Sequence, residues 1–150
     1  MKSSVLSLIA GLSAIAFAAG AQAQQVPQPT LPIAPLSAGI YVIQAEVAST
    51  PMQQQIGLMG RTALSSNGGM LFIFDASSLH CMWMRNTLLP LSVAFIDDNG
   101  SITNIEDMAP KTENTHCAVR PARYALEMSK GWFAKRGIKP GTTIEGLKKP

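Results

Sequence analysis

Short stretches of alternating apolar and polar residues dominate the chain from residue 41 onward. Residues 41–47 and 123–128 alternate, and the second stretch puts Tyr124 and Leu126 on one face and Glu127 on the other. Alternation with a period of two residues is typical of a strand that buries one face in a core. Both segments are therefore predicted to be strands of a half-buried sheet.

Apolar runs and turn signals predict five further strands, at residues 70–74, 80–85, 92–97, 101–107 and 141–145. An Asp-Asp-Asn-Gly sequence separates two of them, and this composition favours the tight turn of a β-hairpin. Six or seven short strands with two short helices predict a mainly β (β-rich α+β) fold. We expect one domain, built as a sandwich or a distorted barrel.

The two predicted helices are short. Thr50 and Pro51 suit the N-cap and the first helical position, and Gly60 is expected to end the first helix. Three residues of this helix recur at i, i+4 and i+7 and are therefore expected to face the core: Met52, Ile56 and Met59. The second helix is predicted over residues 131–136, before Gly137.

The N-terminal residues predict export. Residues 1–23 combine a basic start, an apolar stretch and a small-x-small motif, which is the pattern of a signal peptide cut after Ala23. No later segment reaches the roughly 20 apolar residues of a membrane span, so we expect no stable membrane insertion and a periplasmic or secreted protein. Residues 24–38 contain four prolines and predict a flexible lead-in, which leaves residues 39–147 as the domain.

Charge is distributed unevenly along the exported part. Residues 24–119 hold three basic and seven acidic side chains, whereas residues 120–150 hold eight basic and two acidic ones. The basic end has few interleaved aromatic residues, so nucleic acid is not an expected partner. A solvated surface is the simpler interpretation, with attraction to anionic surfaces as the lesser alternative.

The two cysteines, Cys81 and Cys117, are the only ones in the chain. An even count in an exported protein predicts a disulfide between them. Each follows a histidine, His80 or His116, so a Cys2His2 site for zinc or copper is the alternative. Adjacent residues of a strand point to opposite faces, which disfavours four converging ligands. We therefore expect a disulfide, no metal site and no cofactor.

Seven methionines remain after the predicted cleavage, which raises the possibility of copper(I) binding through thioether sulfurs. The chain contains no Met-x-x-Met cluster, and most of these methionines fall at predicted core positions. Ordinary core packing is therefore the favoured interpretation.

Three motifs occur in order: residues 57–61 (Gly-Leu-Met-Gly-Arg), residues 69–74 (Gly-Met-Leu-Phe-Ile-Phe), and residues 81–97, in which a polar Arg-Asn-Thr cluster separates two apolar segments. With them the chain resembles the DUF192 (UPF0127) family over roughly residues 41–146. That family has no assigned activity, so the resemblance implies no reaction. Ser92 departs from the pattern, because members commonly carry Asp there. The positions that match the pattern best are Gly57, Met59, Arg61, Trp83, Met84, Asn86, Thr87, Pro90 and Glu127.

Six residues are candidates for ligand binding: Arg61, Trp83, Arg85, Asn86, Thr87 and Glu127. One hypothesis is a small concave site rimmed by Trp83, Asn86 and Arg61 that binds an anionic or amide-bearing ligand. The other is structural: Asn86 and Thr87 satisfy backbone groups in a bend, and Arg61 pairs with Glu127 or with a carbonyl group.

The function predicted from these features is that of a monomeric, non-catalytic envelope protein that binds a small molecule or a protein partner. The alternative is a hydrolase acting on envelope material, with Thr87 or Ser92 as nucleophile and His80 or His116 as base. No motif spacing supports such a pair.

Overall fold

The computed structural model of the chain describes residues 26–148, so the predicted signal peptide lies outside the described residues. Within this range the fold is mainly β, as predicted. In chain order the elements are β1 (Ile33–Ala38), β2 (Tyr41–Ala48), α1 (Pro51–Ile56), β3 (Gly68–Ser78), β4 (Cys81–Met82), β5 (Leu91–Ile96), β6 (Ile102–Met108), β7 (His116–Cys117), β8 (Ala122–Ser129), a 3-10 helix (Ala134–Arg136) and β9 (Ile144–Glu145).

Seven of these strands form one sheet in the order β6-β5-β8-β3-β2-β1-β9, and β4 pairs with β7 in a separate ribbon. Strands β2 and β3 run parallel and are connected through α1, whereas the other neighbours in the large sheet are antiparallel. The hairpin predicted around residues 97–100 joins β5 to β6.

The C-terminal segment links the two sides of this sheet and curls it into a half-barrel. Strand β9 pairs with β1, while the residues beside it bond to the start of β6. The amide of Ile102 donates to the carbonyl of Thr142 over 2.9 Å, and the amide of Ile144 donates to the carbonyl of Gly100 over 2.8 Å. The distorted barrel is therefore the better of the two predicted architectures.

The sheet has an apolar cluster on each face, and the alternation of β8 contributes to both. Tyr124 and Leu126 belong to the first core, together with Trp132 and Phe133 from the segment after β8. The second core lies on the opposite face and includes Met70, Phe72, Met84, Val93, Phe95 and Ala125. Glu127 shares the face of the second core, as the predicted alternation of β8 requires.

The predicted flexible lead-in was wrong for residues 33–38, because they form β1 and bury Ala34, Leu36 and Ala38. Pro35 is tolerated there because β9 pairs only with the last two residues of β1, so the outer edge beside Pro35 has no strand partner. Residues ahead of β1 also make specific contacts. The Gln28 side chain is buried and donates to the carbonyls of Gln53 and Gly57 over 3.1 and 2.8 Å.

The first helix begins as predicted but is shorter. Thr50 and Gln53 form a reciprocal capping box, and the helix ends at Ile56 because Gly57 turns the chain with φ of 50°. Met52 is 66% exposed, so its predicted core position was wrong. Met59 is buried, but it reaches the core from the turn that follows the helix and not from a helical face.

Three other elements are shorter than predicted. The last strand, expected over residues 141–145, spans only Ile144–Glu145. The strand expected over residues 80–85 is reduced to β4, because the chain turns immediately afterwards. The second helix is a single 3-10 turn that ends at Gly137 in a left-handed conformation. No helix within residues 26–148 has the length and apolarity needed to cross a bilayer.

Candidate functional site

A cleft opens on the face of the second core, between α1 with its following turn and the segment around β4. It is open to solvent, and the empty space of about 260 Å³ between and above its walls includes open solvent. Its walls are formed by Gln54, Gln55, Ile56, Gly57, Leu58, Met59, Phe72, Met82, Trp83, Thr87 and Glu127. Most of this lining is apolar, and Glu127 is its one ionisable side chain. We call this space the Glu127 cleft.

Glu127 lies in the middle of the sheet, where Met70 of β3 and Val93 of β5 are its partners in register. The residue is only 4% exposed, and within residues 26–148 no charged neighbour or hydrogen-bond donor influences its carboxyl group. Burial therefore raises the pKa of Glu127 to about 8. At neutral pH the carboxyl is mostly protonated, so it can donate one hydrogen bond and accept others.

The backbone around Glu127 is held tightly by β3. A side-chain carbon added to Gly69 would collide with the Glu127 carbonyl oxygen, so this glycine permits the close approach of β3 to β8. At the mouth of the cleft, Gly57 has φ of 50° and an added carbon would lie 3.2 Å from the Phe72 ring. These two glycines belong to motifs that the sequence had singled out.

The structural hypothesis paired Arg61 with Glu127 or with a carbonyl group, but the partner of Arg61 is Glu46. Its Nη2 atom lies 2.8 Å from Oε2 of Glu46 on β2, and the two side chains are only 19% and 12% exposed. The same carboxylate oxygen accepts the backbone N–H of Leu31 over 2.8 Å. Arg61 is therefore outside the cleft lining and has a carboxylate partner that the sequence did not identify.

Trp83 and Arg85 form a surface cluster at the mouth. Trp83 lines the cleft and is 40% exposed. The Arg85 guanidinium lies 4.4 Å from the centre of the Trp83 ring, and its Nε donates to Glu113 over 2.9 Å. Arg85 therefore stacks on Trp83 from outside the lining, and it lowers the pKa of the Glu113 carboxyl through that hydrogen bond.

Asn86 and Thr87 form the bend that follows. Asn86 adopts a left-handed conformation with φ of 56°, and its carbonyl accepts the amide of Gly60 over 3.0 Å. Thr87 is buried and lines the cleft, and its backbone bonds to Met84 and Lys111. The side chain of Asn86 is exposed and outside the lining, so its placement favours the structural hypothesis for this residue.

The disulfide predicted between Cys81 and Cys117 is present. The two residues are directly opposite in the β4–β7 ribbon, with Cα atoms 4.0 Å apart. Residues 79–90 and 109–119, which this bond joins, are called the disulfide lobe below. The bond removes the thiolates that the Cys2His2 alternative required, and within residues 26–148 no cluster of three His, Cys, Asp or Glu side chains is placed to hold a metal ion.

The two histidines lie on the disulfide lobe and contact neither proposed nucleophile. The His80 ring stacks on Phe74 with 3.7 Å between centroids, and its Nε2 lies 2.9 Å from the Ala76 carbonyl. His116 is 4.0 Å from Glu106. The Thr87 hydroxyl contacts the Arg85 carbonyl instead. The histidine–hydroxyl pairs of the hydrolase hypothesis are therefore not formed among the described residues.

Several lining residues were not singled out as site residues from the sequence. Gln54 donates to the Ile73 carbonyl over 2.7 Å, which fixes α1 against β3. Met59 was predicted to be a core residue and Met82 had no predicted position, and both line the cleft. Their positions follow from the turn after α1 and from the disulfide lobe, and neither feature has a short-range periodicity that would have revealed them.

A family model described as "DUF192: Uncharacterized ACR" matches residues 34–146. The chain belongs to the DUF192 family. A solved structure of a protein of unknown function from Novosphingobium aromaticivorans DSM 12444 is 34% identical, with a TM-score of 0.75 and coverage of 89% of this chain and 99% of that one. A candidate transcription regulator from Sinorhizobium meliloti 1021 is 32% identical, with a TM-score of 0.74 and coverage of 79% and 97%. No curated protein matches the chain.

The departure of this DUF192 protein at Ser92 lies away from the cleft. Ser92 shares a face of β5 with Ala94 of the first core, opposite the face that carries Val93. Its hydroxyl donates to Asp107 over 2.5 Å and accepts the amide of Gly131 over 2.8 Å. Ser92 therefore connects β6 to the turn after β8, and its missing charge does not affect the Glu127 cleft.

Proposed function

We propose that this DUF192 protein is an exported, monomeric, non-catalytic binding protein of the cell envelope, and that the Glu127 cleft is its ligand site. The observation that carries the proposal is a carboxyl group that is almost fully buried, has no partner in the described residues and still lines an open cleft. A buried polar group without a partner costs free energy. A ligand that supplies the missing hydrogen bond would offset this cost.

The composition of the lining supports binding of a small molecule. Aromatic and thioether side chains supply apolar contact area, and the Glu127 carboxyl, the one ionisable group among the few polar side chains of the lining, would orient the ligand. The arginines that the sequence suggested for an anionic ligand are both committed to carboxylates outside the lining. A ligand with an uncharged or cationic polar end therefore fits the cleft better than an anion does, and nothing in the cleft suits nucleic acid.

A fragment screen by ligand-observed NMR on residues 24–150 tests the binding site. We expect fragments that bind the wild-type protein to shift the Trp83 indole signal and the methyl signals of Met59 and Met82, and to lose affinity in E127Q. The matched control is E145Q, because Glu145 is an exposed glutamate on β9, outside the cleft lining. Fragments that bind without shifting these signals, or equally well to E127Q, would contradict the proposed site.

Export is tested separately by expressing the full chain in a Gram-negative host and recovering it by osmotic shock. We expect periplasmic protein whose intact mass corresponds to a chain starting at Gln24, with a cysteine content that resists alkylation until it is reduced. Retention of a chain that still begins at Met1 in the cytoplasmic fraction would reject the envelope location.

A further inference from the structure

The lining of the Glu127 cleft contains one acidic side chain and no basic one. Among its lining residues no lysine, arginine or histidine offsets the one carboxyl group, although the chain as a whole has a formal charge of +3. The two arginines that the sequence suggested for ligand binding, Arg61 and Arg85, lie outside the lining. Arg61 is paired with Glu46 at 2.8 Å and Arg85 with Glu113 at 2.9 Å. A bound anion would therefore meet a carboxyl group and no cation.

The walls above the carboxyl suit a narrow hydrocarbon stem. The apolar lining includes the thioethers of Met59 and Met82 and the rings of Phe72 and Trp83, and Trp83 is 40% exposed. A water-sized sphere has only about 20 Å³ in which its centre can move within the cleft, which is roughly the room of one water molecule. Only the end of a ligand can enter, and its remaining part must lie along Trp83 or outside.

We propose that the Glu127 cleft recognises the ammonium end of a primary alkylamine, with the alkyl stem along Met59, Met82 and Trp83. This inference rests on the proposed binding function and adds the chemical class of the ligand. An ammonium group supplies up to three hydrogen-bond donors to the carboxylate, and a charge-assisted bond of this kind is stronger than a neutral one, most of all where water is excluded. The Thr87 hydroxyl provides a second acceptor in the same lining.

Binding of an ammonium must be accompanied by release of a proton. The free protein holds Glu127 as a carboxylic acid because burial raises the pKa of Glu127 to about 8. The alkylammonium arrives with its own proton, the O–H bond of Glu127 breaks, and that proton passes to the solvent as the carboxylate–ammonium pair forms. Atoms and charge balance without any further reactant. Below about pH 8, affinity for the amine should therefore rise about tenfold for each pH unit.

No other titratable group within the described residues faces the Glu127 carboxyl in the cleft. The strands on either side present Met70 and Val93 at its level, α1 presents Gln54 and Gln55, and the disulfide lobe presents only uncharged lining residues. The ammonium group of an alkylamine titrates near pH 10, like that of lysine, so it stays charged over the range in question. The pH dependence of the affinity for the amine should therefore reflect the titration of the Glu127 carboxyl alone.

The test compares four probes with the same stem: n-hexylamine, 1-hexanol, hexanoate and hexyltrimethylammonium. Affinities are measured by NMR titration of the mature protein at pH 6, 7 and 8, using the methyl signals of Met59 and Met82. We expect n-hexylamine to bind at least about tenfold more tightly than 1-hexanol at pH 8, since a charge-assisted bond to a buried partner is worth roughly 1.5–3 kcal/mol. Hexanoate should not bind, and the bulkier quaternary head should be excluded by the small space.

E127Q should lose the preference for the amine over the alcohol and also the pH dependence, whereas E145Q should keep both. Proton release is measured independently by calorimetry of n-hexylamine binding in two buffers of different ionisation enthalpy at pH 7. We expect close to one proton released per amine bound.

If 1-hexanol binds as tightly as n-hexylamine, or if amine affinity is flat from pH 6 to 8, the amine inference is wrong while ligand binding in the cleft stands. If hexanoate is the preferred probe, the charge argument is wrong as well. If none of the probes shifts the lining signals, the amine inference is also rejected, and the fragment screen then decides whether the cleft binds anything. A screen without any hit in the cleft would reject the proposed function itself.

Discussion

Glu46 and Glu127 lie at the same level of the sheet, one on each side of Met70. Strand β3 pairs Met70 with Glu46 of β2 in parallel register and with Glu127 of β8 in antiparallel register. Adjacent strands are about 4.8 Å apart, so the Cα atoms of the two glutamates are separated by roughly two strand spacings. Arg61 bonds to Glu46 at 2.8 Å. One glutamate is therefore neutralised by an ion pair and the other by its own proton.

The buried proton on Glu127 predicts that the protein loses stability as the pH rises. Because the folded state has the higher pKa, about 8 against an ordinary value of 4.5, the stabilisation is complete below about pH 4.5 and is lost as the pH passes through 8. E127Q, which is neutral at every pH, should gain about 4 kcal/mol relative to the wild type between pH 5 and pH 9. Urea unfolding across this range measures the difference, and parallel curves for the two proteins would contradict the buried proton.

Replacement of Glu46 by Gln should destabilise the protein without altering the Glu127 carboxyl. Arg61 would keep its charge in a mostly buried place with only an amide as partner, which should cost about 2 kcal/mol, less than for a fully buried pair. Urea unfolding at pH 7 provides the measurement. E145Q is the control, because within residues 26–148 the exposed Glu145 side chain accepts a hydrogen bond from Ser37 alone, over 3.3 Å. If E46Q lowers the free energy of unfolding no more than E145Q does, the Glu46–Arg61 ion pair adds nothing to stability.

Asn86 should be replaceable by glycine but not by alanine. Its φ of 56° is a conformation that glycine adopts freely and that costs alanine about 1–2 kcal/mol. N86G should therefore melt within a degree or two of the wild type, whereas N86A should melt several degrees lower. If N86G retains stability but loses ligand binding, the exposed amide of Asn86 has a role in recognition that its backbone conformation does not explain.

Removal of the disulfide by the double substitution C81S/C117S should loosen the disulfide lobe, which carries Met82 and Trp83 of the cleft wall. The bond closes a sequence separation of 36 residues, and its loss should lower the free energy of unfolding by roughly 3–4 kcal/mol in the chain-entropy model. Trp83 fluorescence should shift to the red in the folded variant. An unchanged emission spectrum would mean that the lobe is held by its packing alone.

Gln28 should stabilise α1 although it precedes the first strand. Its amide donates to two carbonyls at the end of the helix, over 3.1 and 2.8 Å, in a buried position. Q28A should cost about 1–3 kcal/mol, because both carbonyls lose a buried donor. The exposed Gln44 on β2 offers a matched control, Q44A. Equal stability of the two variants would show that residues ahead of β1 are dispensable for the fold.

The fold could be anticipated where one local rule acted alone. The alternation of β8, the hairpin between β5 and β6, and the Thr50–Pro51 start of α1 were all predicted and are confirmed, because strand periodicity, turn composition and helix capping are short-range effects. The disulfide also followed from a simple count. The prediction failed at β1, because the four prolines of residues 24–38 suggested a flexible segment. Pro35 is acceptable there only because of the strand order at that edge.

The candidate site was likewise predictable from the sequence only in part. The sequence by itself determined that Glu127 projects from the same face of β8 as Ala125. It also selected Thr87 from the polar cluster and Trp83 from the apolar segment that precedes this cluster. Which charges meet was decided by the tertiary structure. Pairing across β2, β3 and β8 brings Arg61 to Glu46, and the turn after α1 and the disulfide lobe close around Glu127. The pKa of Glu127 depends on burial by residues distant in sequence, so no local pattern could have predicted it.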